Sequence, residues 1–325
     1  MRAVILCAVA VLAGCGRYSD FTLPAPAGSG SPLQFTWQPR ATPVLERGPT
    51  GDWDSGDVLN PSVVSFHGRY LNLYSGFDGK TWHTGLATSA DGLTWSKQGK
   101  VLSPDPATWE GDSIAGNGAV VAVGEKLLYF YQAGTPPRIG LATSTDGRSW
   151  QRHGAAVVDL GPRGSWDERG DADPDAIQAG GKLYLYYLGQ DRARRQRLGV
   201  AVSDDGVVWT KLRSNPILEP GEAGEFDENG VGEAAVWPAN GFYWMLYTGR
   251  AHDEVRRLGM ARSRDGVHWE KLKHIFSGDQ AWDSKVICDP SVLPGADGIN
   301  VWFGGGDVAR PDQNIHGQIG FGILR

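Results

Sequence analysis

Trp166-Asp167-Glu168-Arg169-Gly170-Asp171-Ala172-Asp173-Pro174 places an aromatic residue and an acid shortly ahead of a polar residue that opens an apolar run. The arrangement recurs at Trp53-Asp54 before Asn60, Trp109-Glu110 before Asn117, Phe226-Asp227 before Glu233 and Trp282-Asp283 before Asp289. Five copies at near-constant spacing describe one supersecondary unit repeated about an axis. What all five share belongs to the scaffold. The position that varies, occupied by Asn60, Asn117, Asp173, Glu233 and Asp289, is where function is sought.

Working outward, each copy continues with an alternating apolar run, a Gly-containing turn, an aromatic-rich run, a variable loop and a third short run. In the first copy these are residues 63–66, His67-Gly68, 70–74, 77–83 and 85–88. Alternation at period two between turn signals predicts antiparallel strands. The third run ends in Ser-x-Asp-Gly-x-x-Trp at 89–95, 144–150, 203–209 and 263–269, a hairpin signal because Gly accepts positive φ and Asp bonds its own backbone. Each unit therefore has four strands. The last unit stops after its third, and Trp37 falls in register with Trp95, Trp150, Trp209 and Trp269. This predicts an all-β, five-bladed β-propeller of four-stranded antiparallel blades, closed by the N-terminal strand joining the last blade. The expected blades are 53–108, 109–165, 166–225, 226–281 and 282–325 with 35–52.

Ala3 to Gly14 is too short to span a bilayer as a mature helix and reads as an export signal. Leu12-Ala13-Gly14-Cys15 resembles the lipobox of bacterial lipoproteins, which implies cleavage before Cys15 and lipidation there. Gly16 after the cysteine fits sorting to the outer membrane of a Gram-negative cell envelope, or else secretion. Residues 16–34, rich in Pro, Gly and Ser, are expected to form a flexible tether, and 35–325 the propeller. Of 3 cysteines, Cys288 then has no disulfide partner. The net charge of -6 and the absence of a basic run exclude nucleic acid as a partner. A monomer is expected, touching the membrane through its anchor only.

In a propeller the first strands line the axis and start on the face to which the second-to-third loops return. The five variable residues should therefore surround one funnel. Converging carboxylates raise one another's pKa, a cost that suits catalysis better than scaffolding, and carboxylate pairs are the working parts of glycoside hydrolysis. Each has a bland rival: Asp173 and Asp289 precede Pro at a strand start, where a carboxylate can simply cap backbone N–H groups. Trp82, alone in a variable loop among 13 tryptophans, is a candidate sugar-stacking platform. His83, His252 and His316 lie in rim loops and are candidates for bonding sugar hydroxyls. No His/Cys spacing suggests zinc, and no nucleotide loop is present.

The fivefold layout, the Asp-Gly-x-x-Trp turns, Asp173-Pro174 and Glu233 resemble the five-bladed glycoside hydrolases of families 43, 32 and 68, which act on arabinan, xylan and fructan. By that resemblance Glu233 is the general acid and Asp173 its modulator. The family's third carboxylate is replaced by Asn60, followed by Pro61. An amide cannot ionise, so three alternatives stand. Asp57 or Asp289 supplies the base; or phosphate attacks, as in phosphorolytic family 130, whose members also tend to carry Asn-Pro, with Arg192, Arg194, Arg195 or Arg250 as its cations; or the domain binds glycan without cleaving it. Asn60 and Asn117 are then substrate-binding residues and the partner an oligo- or polysaccharide. No cofactor is expected. The resemblance admits calcium on the axis, although the sequence holds no dedicated ligand loop.

Overall fold

The computed structural model describes residues 17–310 and 313–325, so the lipidation site expected at Cys15 lies outside the described residues. Two short pieces, β1 (Tyr18–Ser19) and β2 (Trp37–Pro39), precede the regular strands. β3 (Asp57–Phe66), β4 (Arg69–Phe77), β5 (Trp82–Ser89) and β6 (Ser96–Leu102) make one antiparallel sheet. β7 (Ala115–Val123), β8 (Lys126–Ala133), β9 (Arg138–Ser144) and β10 (Gln151–Arg152) make a second. β11 (Gly170–Ala179), β12 (Lys182–Gln190), β13 (Gln196–Ser203) and β14 (Thr210–Leu212) make a third, to which β1 adds in parallel.

β15 (Gly230–Ala239), β16 (Phe242–Arg250), β17 (Arg256–Ser263) and β18 (Glu270–Phe276) share one eight-stranded sheet with β19 (Val286–Gly295), β20 (Gly298–Gly306), β21 (Gln318–Leu324) and β2. Its halves meet at a single parallel bridge, Arg256 to Val286. β2 pairs antiparallel with β21, Trp37 opposite Leu324. The first strands pack side by side in a cycle, β3 on β7, β7 on β11, β11 on β15, β15 on β19, and β19 back on β3.

The aromatic–acid elements explain why every copy closes in the same way. The indole of Trp53 lies over Gly76 and Gly85, where an added Cβ would come within 2.3 Å of the ring. Its neighbour Asp54 accepts from the Tyr74 hydroxyl at 3.0 Å and from Lys97 at 2.7 Å. Glu110 repeats this with Tyr131 and Arg152, Asp167 with Tyr187 and Lys211, and Asp227 with Tyr247 and Lys271. The acid thus ties the second strand to the fourth beneath the ring. In the last copy Phe303 stands in the tyrosine's place, and burial raises the pKa of Asp283. The Asp-Gly turns close as read from the sequence: Ser89 Oγ accepts Gly92 N–H, and Asp91 Oδ1 accepts the N–H groups of Leu93 and Thr94.

The stretch expected to be a free tether is instead laid along the domain. Leu23 is buried with Tyr186, Met245 and Val267, the Tyr243 hydroxyl donates to Pro24 O at 2.7 Å, and Gly30 N–H donates to Asn240 O. Phe21 and Leu23 are the apolar residues that make this packing favourable in a Pro/Gly-rich run.

Gly189→Val tests the ring-on-glycine packing. A Cβ at Gly189 would sit 2.1 Å from Trp166, so urea unfolding should show a loss of about 1–3 kcal/mol; unchanged stability would show that the ring does not need the glycine floor.

Candidate active site

β3, β7, β11, β15 and β19 each carry a β-bulge at the same point, between Leu59 and Ser62, Gly116 and Ala119, Ala172 and Asp175, Gly232 and Ala235, and Cys288 and Ser291. At each bulge the variable residue is left-handed: φ is 49° at Asn60, 46° at Asn117, 44° at Asp173, 51° at Glu233 and 50° at Asp289. A bulge re-aims one side chain out of the alternation, and here five are re-aimed together. All five line one cavity of about 310 Å³ with Lys80, Trp82, Gln132, Gln196, Arg250 and Arg256. With the residues that follow them, among them Pro61, Pro174 and Pro290, they also line a small void of about 30 Å³.

Neighbours in the ring are bonded to one another. Asn117 Nδ2 donates to Asp173 Oδ1 at 3.0 Å, and Asn117 Oδ1 accepts from Ser75 Oγ at 3.0 Å. Asp289 Oδ2 accepts Asn60 N–H at 3.3 Å and the Cys288 thiol at 3.1 Å. Asp289 N–H reaches Glu233 Oε2 at 3.4 Å and Thr248 Oγ1 at 3.2 Å. Burial, then the Glu233 charge, pushes the Asp173 carboxyl up to about 7, against the pull of Asn117, Arg250 and Arg256. Burial and Glu233 likewise hold Asp289 well above the usual carboxylate range, and Glu233 and Asp289 share a hydrogen bond. Burial and the neighbouring Glu233 charge thus both favour the protonated form of Asp173 and of Asp289.

The structure brings Asp173, Glu233, Asp289, Asn60, Asn117, Trp82 and Arg250 together and leaves out the other candidates. Asp57 is fully buried, with Oδ1 accepting Gly317 N–H at 2.8 Å and Oδ2 accepting Asn314 N–H at 2.5 Å; it anchors a loop instead of facing the cavity. His83 follows Trp82 on β5, so the pleat sends it to the opposite face, where Ser103 and Asp78 hold its two ring nitrogens. His316 bonds Asp307 at 2.7 Å outside the cavity. His252 lines a separate hollow in the fourth copy, and Arg192 and Arg195 line another in the third. Arg250 Nη2 is held by Glu254 at 2.9 Å.

Lys80, Gln196 and Arg256 were not singled out from the sequence. A signal existed: Trp82, Gln196 and Arg256 each open the third strand of their copy. Glu233, Cys288 and Asp289 also bring three donor atoms within 4.8 Å of one another. The buried thiol is held far above its ordinary pKa, which opposes the thiolate a metal would want.

The model of glycoside hydrolase family 130, described as β-1,4-mannooligosaccharide phosphorylase, matches residues 114–305, more than half of the chain. The chain belongs to this family. A family 130 structure, from work on glycoside hydrolases that target β-1,2 mannosidic linkages in Candida mannan, superimposes with a TM-score of 0.71 over 91% of this chain and 96% of that one. At 16% identity that likeness shows the fold alone, the propeller-like all-β fold of glycoside hydrolases. An uncharacterized protein of Mycobacterium tuberculosis is 27% identical over 187 residues, 49% of this chain and 61% of that one. The raffinose invertase of Escherichia coli is 28% identical over 198 residues, 56% of this chain and 38% of the enzyme. The chain thus spans less than two thirds of the length of these curated relatives.

The raised carboxyls carry a signature in stability. Asp173 binds its proton more tightly folded than unfolded, so its contribution is complete below the ordinary carboxylate value near 4 and is lost as pH rises to about 7. Urea unfolding should show stability falling over that window, and Asp173→Asn should shrink the fall by something on the order of 1–4 kcal/mol. Identical pH dependence in both proteins would mean the carboxyl is ordinary.

Proposed function

We propose that this protein breaks a glycosidic bond in the ring cavity, with a ring carboxyl as proton donor and inorganic phosphate as the attacking group. The observation that carries this reading is the lining: three carboxyls, an amide where the hydrolytic relatives carry a base, and three cationic side chains, Lys80, Arg250 and Arg256, around one space. Phosphate brings its own nucleophilic oxygen and needs charge neutralisation more than a base. Glu233 is the donor we favour, with Asp289 sharing its hydrogen bond and Asp173 lining the same cavity. As the glycosidic C–O bond breaks, the leaving oxygen takes that proton, a phosphate oxygen bonds the anomeric carbon, and a sugar 1-phosphate and a shortened glycan leave. Trp82 offers a ring face for a sugar at the cavity wall. Family membership favours mannosides over the furanosides and pentosides that the sequence first suggested.

A second reading is hydrolysis, favoured by Asp289, whose carboxylate touches the Asn60 backbone and so lies where a base is missing. In both readings we take the eight-stranded sheet as two blades, which gives five blades with β2 closing the last. Lipid anchoring at Cys15 in the cell envelope, and a monomeric state, complete the proposal.

Turnover of β-1,4-mannooligosaccharides should require phosphate and yield a sugar 1-phosphate. Glu233→Gln should lower kcat by about 10²–10⁴ with the fold intact, and Lys80→Gln, in an exposed loop, should raise the phosphate KM. Turnover indifferent to phosphate would replace phosphorolysis by hydrolysis; no turnover of any glycoside would leave a glycan-binding protein.

A further inference from the structure

A second hollow, larger than the ring cavity, stands apart from it. It lies in the fourth copy, has a volume of about 820 Å³, and is lined by the half-buried ring of Phe226, backed by the buried Tyr247, with His252, Asp253, Arg257 and Lys273 around it. Its counterpart in the third copy is about 440 Å³, with Trp166 where the fourth has Phe226. The repeat supplies a control for why they differ. Phe226 is the one aromatic–acid element of the five without an indole, so its floor is one ring smaller. In the third copy Asn215 reaches in from the segment after β14, donating to Tyr187 Oη at 3.3 Å and exchanging bonds with Val200. In the fourth copy the chain from Trp269 to Phe276 is two residues shorter than that from Trp209 to Leu218, and no residue takes Asn215's place. Both departures remove volume at one spot, and Ile275, one of three large apolar residues exposed among those described, stands at its edge.

We propose that this hollow is a second carbohydrate-binding site, separate from the ring. The partly exposed Phe226 ring, with Glu228, His252, Asp253 and Arg257 around it, suits a neutral polyhydroxylated ligand, whose C–H face stacks on the ring while its hydroxyls bond the polar groups. The walls balance acids against cations, with Asp227 tied to Lys271 at 2.6 Å and Arg257 Nε bonded to Ser277 Oγ at 3.1 Å, so the lining does not select for a charged ligand. Arg256 faces the ring cavity and Arg257, its neighbour on β17, faces the hollow. One glycan chain held in the hollow would therefore be kept beside the ring without occupying it. The choice of carbohydrate as ligand rests on the glycosidic function proposed above; the hollow itself rests on the repeat comparison.

The test is calorimetric titration of β-1,4-mannohexaose, and separately β-1,4-xylohexaose, into Glu233→Gln protein, which binds without turnover. Two binding events are expected with one of the two sugars. Adding Phe226→Trp, the residue that four copies already accommodate, should weaken one event by about tenfold or more, as should Arg257→Ala, while the other event persists. Isotherms unchanged by both substitutions, a single event that neither substitution weakens, or no binding would each overturn the proposal. Failure of the ring chemistry would look different: wild-type protein would not turn over, yet the event sensitive to Phe226→Trp would remain.

Discussion

Everything at the candidate site depends on five non-glycine residues held in the left-handed backbone region at five matching bulges. Such a conformation costs on the order of 1–3 kcal/mol per residue and persists only where its surroundings over-determine it. Asn and Asp tolerate it best, because a short polar side chain can bond locally. That preference alone accounts for part of the pattern Asn60, Asn117, Asp173 and Asp289. It does not account for Glu233 at φ 51°, whose longer side chain reaches across to the Asp289 N–H of the next copy. A glutamate in that place points to chemistry.

What offsets the strain is visible around the ring. Each bulged residue is wedged between the first strands of adjacent copies, and side-chain bonds run from copy to copy: Ser75 to Asn117, Asn117 to Asp173, Asp289 to the Asn60 backbone. Farther out, rings packed on glycines, as Trp53 on Gly76 and Gly85, and in four copies a buried acid tying a tyrosine to a cation, fix the sheet that carries the bulge. The Lys211 cluster is the most enclosed of these, its ammonium shared by Asp167 and Asp171 at 2.6 and 2.8 Å. Scaffold and site are thus one arrangement read at two radii.

The repeat made the strands, the turns and the varying ring legible in the sequence, because internal copies act as their own alignment. Adjacent residues were harder to separate: Trp82 and His83 were both read as site residues, although a pleated strand can aim only one of them at the cavity. Asp57 looked like a spare base from its spacing, but it is committed to loop N–H groups that lie far away in sequence. Lys80 and Arg256 were missed because they matter only once loops from different copies converge. The packing of Leu23 was hidden by a composition that signals a linker; only contact with distant residues shows otherwise.

The central claim is that Asp173 and Asp289 hold their protons above the ordinary carboxylate range because they are enclosed beside the Glu233 charge. Carbon-13 NMR of the carboxyl groups, followed between about pH 4 and 8 in wild-type protein and Glu233→Gln, measures this directly. The account predicts at least one ring carboxyl still protonated at the neutral end of the range, and a lower titration midpoint for Asp173 once the Glu233 charge is removed. Three carboxyls that have all ionised in the ordinary carboxylate range, unaffected by the substitution, would contradict it.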